Sequence, residues 1–245
     1  MLVCVAVVLL ITHHLNRRLE EKSRKMANGV NGWQLSILGA IYAVALGFML
    51  SDAWLAYQTA AADVREEAAA ASSIYREAVL LPDFCAAPLQ DASKAYVQTV
   101  VNTEWPSMAK RQPDWRAAPL LQHLWQTTNE CRAHEVDSYD HEQVFRALET
   151  LQARRDSRIG DYDGHLSFMM WAVLLFGAII VIAASSLLGN EKKSIHCFHV
   201  VSLTVLITVM LLAIADLDRP FDGATRIAPG AFQLVMADMD GHPAA

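Results

Sequence analysis

The chain has 245 residues, a net charge of −6 and a hydrophobic fraction of 53% that is gathered into blocks rather than spread evenly. Its basic residues are neither in excess nor collected on one helix, which argues against nucleic acid as a partner. Cys4, Cys85, Cys131 and Cys197 show no CxxC spacing, and no phosphate-cradling glycine loop, nucleophile elbow or HExxH pair occurs, so nothing points to an enzyme, a cofactor or a metal site.

In chain order, the first apolar block is Leu2 to Ile11. It is short for a span, yet a signal peptide would want a basic start before it and a small-x-small cleavage pattern after it, and neither is there. We read it as the first of four membrane segments. A basic loop, Thr12 to Gly32, follows with Arg17, Arg18, Lys22, Arg24 and Lys25. The second block, Val30 to Ser51, is uncharged and ends at Asp52, with Trp33 near one end and Trp54 and Tyr57 near the other, where aromatic rings favour the membrane interface. Within it, Ser36, Ala40, Ala43, Gly47 and Ser51 recur every three or four residues, a small-residue face that lets helices approach closely. That face serves equally as a seam between subunits and as ordinary packing within the chain.

From Gln58 to His165 the sequence turns polar with a helical period. Val64, Ala68, Ala71, Tyr75, Ala78 and Leu81 form one stripe, and no breaker precedes Pro82, so one long helix is expected from about Trp33 to Leu81. A second helix carries Leu89, Ala92, Tyr96 and Val100 and stops at Pro106, and a third carries Leu120, Leu121, Leu124 and Cys131. A fourth, from near Asp140, turns Val144, Leu148 and Leu151 inward and runs through Arg154, Arg155 and Arg158, a cluster expected to be solvated or to partner Glu66 and Glu67, or else to raise the local anion concentration near the mouth of a conduit.

Leu166 to Leu188 lacks every charged side chain and histidine, and at about 1.5 Å per residue it crosses a hydrocarbon core of about 30 Å. Val200 to Ala215, lengthened by His196, Cys197 and Phe198 and closed by Asp216, makes the last segment after a loop with Lys192 and Lys193. Helices apolar on every side would need a core larger than this chain can supply, so their solvent is lipid. The expected fold is therefore all-α: membrane helices one and two with their basic loop in residues 1–57, a helical extramembrane domain in 58–165, membrane helices three and four in 166–215, and a polar C-terminal tail in 216–245. The two basic loops share one side, which the bias of Lys and Arg assigns to the cytoplasm. The helical domain and both termini then lie on the opposite side of the cell membrane.

After the basic loop ending in Asn28 and Gly29, the order of four runs is distinctive: GAIYAVALGFMLSDAW (Gly39 to Trp54) leading into VREEAAAASSIYREAVLLP (Val64 to Pro82), then YVQTVVNTEWPSMA (Tyr96 to Ala109), then ADLDRPFDGATRIAPGAFQ (Ala215 to Gln233). Over nearly its whole length the chain resembles the bestrophin-like domain family, with Glu104, Trp105 and Pro106 and with Asp218, Arg219, Pro220 and Phe221 as the most specific elements. That family is similar at a distance to bestrophins, pentameric anion channels whose second membrane helix lines the pore. The resemblance implies a homo-oligomer, a pentamer by analogy, with anions as cargo, and a pore helix from Trp33 to Asp52. It places Asp216, Asp218 and Asp222 where bestrophins bind calcium, although no run of clasping acidic residues exists here. Bestrophins keep their helical region in the cytoplasm, opposite to the side the basic loops indicate.

With no basic residue in the second block, a conduit along it needs an apolar constriction that wets and dewets. Leu35, Leu38, Tyr42, Leu46 and Met49 are the expected lining, or else the small residues face the conduit and widen it. The competing function is a non-conducting sensor or scaffold whose helical domain binds a partner.

Overall fold

The computed structural model describes residues 21–112, 114, 116–133, 138–187 and 193–241, and the side chains among them from Gly32 onward, apart from residues 133, 138, 163, 187 and 193. The block Leu2 to Ile11, Pro113 and the side chains of both basic loops lie outside that description. The described residues are helical with turns between, and divide into two compact units.

Unit one comprises residues up to Leu55 together with His165–Asp218. It holds the first part of α1 (Glu21–Glu77), α6 (Phe168–Leu187) and α7 (Lys193–Leu217). Helix α1 begins well before Trp33, where the sequence reading starts it, and at about 1.5 Å per residue its 57 residues extend for about 85 Å. Among the described residues, three helices are long and apolar enough to cross a membrane: the one containing Gly32–Leu80, and those of Phe168–Ser186 and Ser194–Leu217. Large apolar side chains such as Phe168, Phe176, Ile179 and Phe198 stand exposed on α6 and α7. Hydroxyls on these helices are turned back onto the backbone: Thr204 Oγ1 donates to the Val200 carbonyl at 2.7 Å and Thr208 Oγ1 to that of Thr204 at 2.7 Å. In lipid this spares a polar group from being left without a partner.

The three helices join through two apolar clusters. Tyr42, Ala178, Val181 and Ile207 form one, and Ala53, Leu166, Leu174 and Ile214 the other. Gly177 sets the approach of α1 to α6, because a Cβ there would stand 2.6 Å from Cδ2 of Tyr42. With the tyrosine ring on that glycine, its hydroxyl donates to the Leu174 carbonyl at 3.0 Å. At the start of α6, the buried Asp218 carboxylate accepts from the backbone N–H groups of His165 at 2.9 Å and Leu166 at 2.7 Å, and from Trp171 Nε1 at 3.4 Å. His165 and Leu166 lie just before the first residue of α6, so their N–H groups have no helical carbonyl to donate to, and the carboxylate supplies the acceptor.

Unit two comprises Ala56–Gly164 and the residues from Arg219 on. It contains the rest of α1, then α2 (Asp83–Thr99), α3 (Trp105–Met108), α4 (Ala117–Ala133), α5 (Ser138–Gly160) and α8 (Gly230–Met239). Before Pro82 the chain tightens into a 3-10 turn over Ala78–Leu80. Pro106 does not stop a helix at Glu104; a π turn over Val100–Glu104 carries the chain on, and Pro106 sits in the first turn of α3, where its missing N–H costs nothing. Ala60, Val64, Ala71 and Ile74 of α1 meet Leu89, Tyr96, Leu124, Leu148 and Leu151 in one core. Cys85 and Cys131 are bonded as a disulfide, with a Cα–Cα distance of 5.7 Å.

The reading of residues 216–245 as a polar tail leaves out α8, which buries Phe232 and Met239 in the core of unit two. Trp105 receives both Phe221 and Phe232 at ring-centroid distances of 5.8 Å, and its Nε1 donates to the Ile227 carbonyl at 3.2 Å.

Candidate functional site

At about 100° per residue, Leu35, Leu38, Tyr42, Leu46 and Met49 lie on one face of α1. That face is turned towards the chain's own helices: Leu35, Tyr42 and Leu46 pack with Ala178, Val181 and Ile207, and Met49 joins the cluster of Leu174 and Ile214. Of the five, Leu38 alone is exposed.

The small residues Ser36, Ala40, Ala43, Gly47 and Ser51 are all exposed. Beside them runs a groove of about 260 Å³, walled by Gly39, Ala43 and Gly47 of α1 and by Leu203, Leu206 and Met210 of α7. A Cβ added at Gly39 or Gly47 meets nothing within 4 Å, so packing within the chain does not require glycine at either position. A third face, which sequence reasoning did not single out, carries Ile37, Ile41, Val44 and Phe48, and Phe48 is 69% exposed. The signal for it is the four-three-four spacing of large apolar residues that remains once the other two faces are assigned.

Unit two holds a buried charge network. The Arg155 guanidinium grips Glu104 with two parallel bonds, Nη2 to Oε1 at 2.6 Å and Nη1 to Oε2 at 2.8 Å. Arg158 donates from Nε and Nη2 to Glu67 at 2.6 and 2.9 Å and from Nη2 to Glu104 at 3.0 Å. Its guanidinium lies 5.4 Å from the centre of the Trp105 ring, and Tyr96 closes the set by donating its hydroxyl to Glu67 at 2.5 Å. Two carboxylates face two guanidinia, so the cluster is neutral, and Glu67 and Arg158 have no solvent exposure.

Burial by itself pushes the Glu104 carboxyl up, but the bond from Arg155 and the charges of Arg158 and Arg155 outweigh it and hold Glu104 below its ordinary value. Burial and the Glu67 charge push Tyr96 well above the usual phenol range. Burial likewise works against charge on Arg155 and Arg158, yet the carboxylates raise both above the ordinary guanidinium value. Glu104, Arg155 and Arg158 are therefore charged at neutral pH, while the Tyr96 phenol keeps its proton. Arg154 sits outside it, bridging Asp63 at 2.9 Å and Glu66 at 2.7 Å.

Of the residues in the distinctive sequence elements, Glu104 belongs to the network and Trp105 packs on Phe221. The Pro220 carbonyl accepts from the Ile227 N–H at 2.7 Å, and that of Arg219 from the Gly223 N–H at 3.3 Å, which folds this segment into a turn. The carboxylates expected in a calcium-binding region are engaged otherwise: Asp218 by backbone donors and Asp222 by Arg111. Among the described residues no group of three or more His, Cys, Asp or Glu is placed to hold a metal ion.

A Bestrophin-like domain model matches residues 2–232, and the chain belongs to that family. Among solved structures it is similar to a bacterial bestrophin homologue from Klebsiella pneumoniae, with 14% identity, a TM-score of 0.73 and 99% of each chain covered. A point-mutated form of the same homologue gives 13% identity and a TM-score of 0.72, covering 98% of this chain and 99% of that one. The chain thus has the bestrophin fold, and its apolar helices together with its family mark it as a membrane protein. No curated protein matches it by sequence.

Proposed function

We propose that the chain is one subunit of a homo-oligomeric anion channel of the cell membrane, a pentamer with four spans per subunit, in which α1 lines the conduit. The observation that carries this reading is the exposure of the small-residue stripe on α1. Lipid gains nothing from Gly, Ala and Ser on a helix surface, whereas a neighbouring helix gains close approach. Since a side chain at Gly47 would meet nothing inside the chain, the occupant is a second copy. The faces of α1 then have separate tasks. Leu35, Tyr42, Leu46 and Met49, already packed on the chain's own helices, hold α1 in place rather than lining the conduit. Ser36, Ala40, Ala43, Gly47 and Ser51 seat the neighbour. Ile37, Ile41, Val44 and Phe48 turn to the axis as an apolar constriction, the design open to a helix face without basic residues. A ring results because the two sides of α1 differ, and head-to-tail contacts close around an axis.

The mass of the detergent-solubilised complex tests the assembly. A multiple of the subunit mass is expected, falling to one subunit in Gly47→Leu, whose added bulk has room within the chain and none against a neighbour. A wild-type protein that is monomeric in several mild detergents contradicts the proposal.

A further inference from the structure

Cys85 lies at the start of α2 and Cys131 in the last turn of α4, 46 positions apart in sequence, and both are buried in the core of unit two. Their Cα–Cα distance of 5.7 Å is the ordinary separation for a disulfide, and the bond ties two helices that flank the charge network. Cytosolic thiol pools keep such pairs reduced, while extracytoplasmic compartments oxidise them. A second observation is independent of the cysteines. The ends of α6 and α7 that adjoin unit two in sequence, after Gly164 and before Arg219, are opposite to the ends that the sequence joins through Lys192 and Lys193. Loop lysines and arginines stay cytoplasmic.

We infer that Cys85 and Cys131 are an oxidative modification site that is formed in, and fixes unit two to, the non-cytoplasmic side of the membrane. The inference rests on the membrane reading of α6 and α7 and not on conduction. The oxidant is a thiol oxidoreductase in its disulfide form. One cysteine thiolate attacks that disulfide and releases one thiol; the other cysteine then displaces the second thiol from the mixed disulfide. Two electrons and two protons pass to the oxidant, and one S–S bond is gained as another is lost. Because both sulfurs end up inside the core, oxidation precedes closure of unit two, and the finished bond is shielded from exchange.

The test uses the full chain carrying Cys4→Ser and Cys197→Ser, expressed in a Gram-negative host. Cells are quenched in acid, denatured and treated with a polyethylene-glycol maleimide. No adduct is expected without reductant and two after reduction; two adducts without reductant overturn the inference. A second variant adds Asp91→Cys, an exposed position on α2. A membrane-impermeant maleimide should label it in intact cells, and labelling that appears only after the inner membrane is opened overturns the inference as well. Liposome flux of the same variant reads the channel proposal separately, since a conducting pore forms in either orientation.

Discussion

Removing one end of the buried network leaves the other end charged, buried and unpaired, so Arg158→Ala is the most damaging single change in unit two. A loss of about 3–5 kcal/mol is expected from the stranded Glu67, read as a lower denaturation midpoint with the membrane helices still extractable together. The same residues fix the pH response. Glu104, held below its ordinary value, contributes stability that is complete above the usual carboxylate range and is lost only as pH falls through its lowered folded value. Tyr96, raised, contributes stability that is complete below about pH 10 and is lost as pH rises beyond that. Melting temperatures should therefore be flat from about pH 5 to 9 so far as this network is concerned, falling in strong acid and in strong alkali. Gly177 gives a contrasting case in unit one. A Cβ at that position meets the Cδ2 and Cε2 atoms of the Tyr42 ring, so Gly177→Ala should destabilise the packed helices by about 1–3 kcal/mol, measured by thermal aggregation in detergent. Gly47→Ala should leave the same measurement unchanged in dispersed single chains.

At the level of helices, the apolar periods in the sequence reveal the core, and they reveal the charges as well once followed in register. On α1 the buried positions Ala60, Val64, Glu67, Ala71, Ile74 and Ala78 alternate steps of four and three, so Glu67 falls on the inner stripe although its neighbour Glu66 does not. On α5 the stripe of Val144, Leu148 and Leu151 continues through Arg155 and Arg158 with the same steps, while Arg154 falls off it. A charge in register with an apolar stripe is a buried charge that needs a partner, and the pairing of this cluster with Glu66 and Glu67 was legible on that ground. Glu104 was not, because the π turn at Val100–Glu104 changes the period just before it. Helix α8 was hidden for a different reason: Ala231, Phe232, Leu234, Val235 and Met236 make a short apolar run behind Pro229 and Gly230, too brief for its period to mark one face, and Phe232 is seated against Trp105. The rotation of α1 required the structure, since its apolar faces are alike in hydropathy and differ in size alone. From the faces proposed for α1, Phe48→Ala is expected to keep the oligomer and raise anion flux by widening the constriction, whereas Leu46→Ala is expected to lower stability instead. Light scattering of the solubilised protein, paired with flux, separates the two.

For the whole molecule, two units with different solvents share one helix: α1 belongs to unit one through Leu55 and to unit two from Ala56. Unit one keeps large apolar side chains outside and needs lipid; unit two has its own core, a disulfide and a network of ion pairs. In the assembly proposed above, the row of small, exposed positions along α1 has a use that a chain built only to anchor a partner-binding domain would not give it. The sequence already pointed to a membrane chain of this family, but which surface remains for a neighbour was visible only after the inner face of α1 had been accounted for. The most direct measurement is chloride efflux from liposomes containing the purified full chain. Efflux well above that of protein-free vesicles, abolished by Gly47→Leu and increased by Phe48→Ala, is the expected result. Vesicles that stay tight to chloride at every protein density, with the complex intact, would contradict a conducting role.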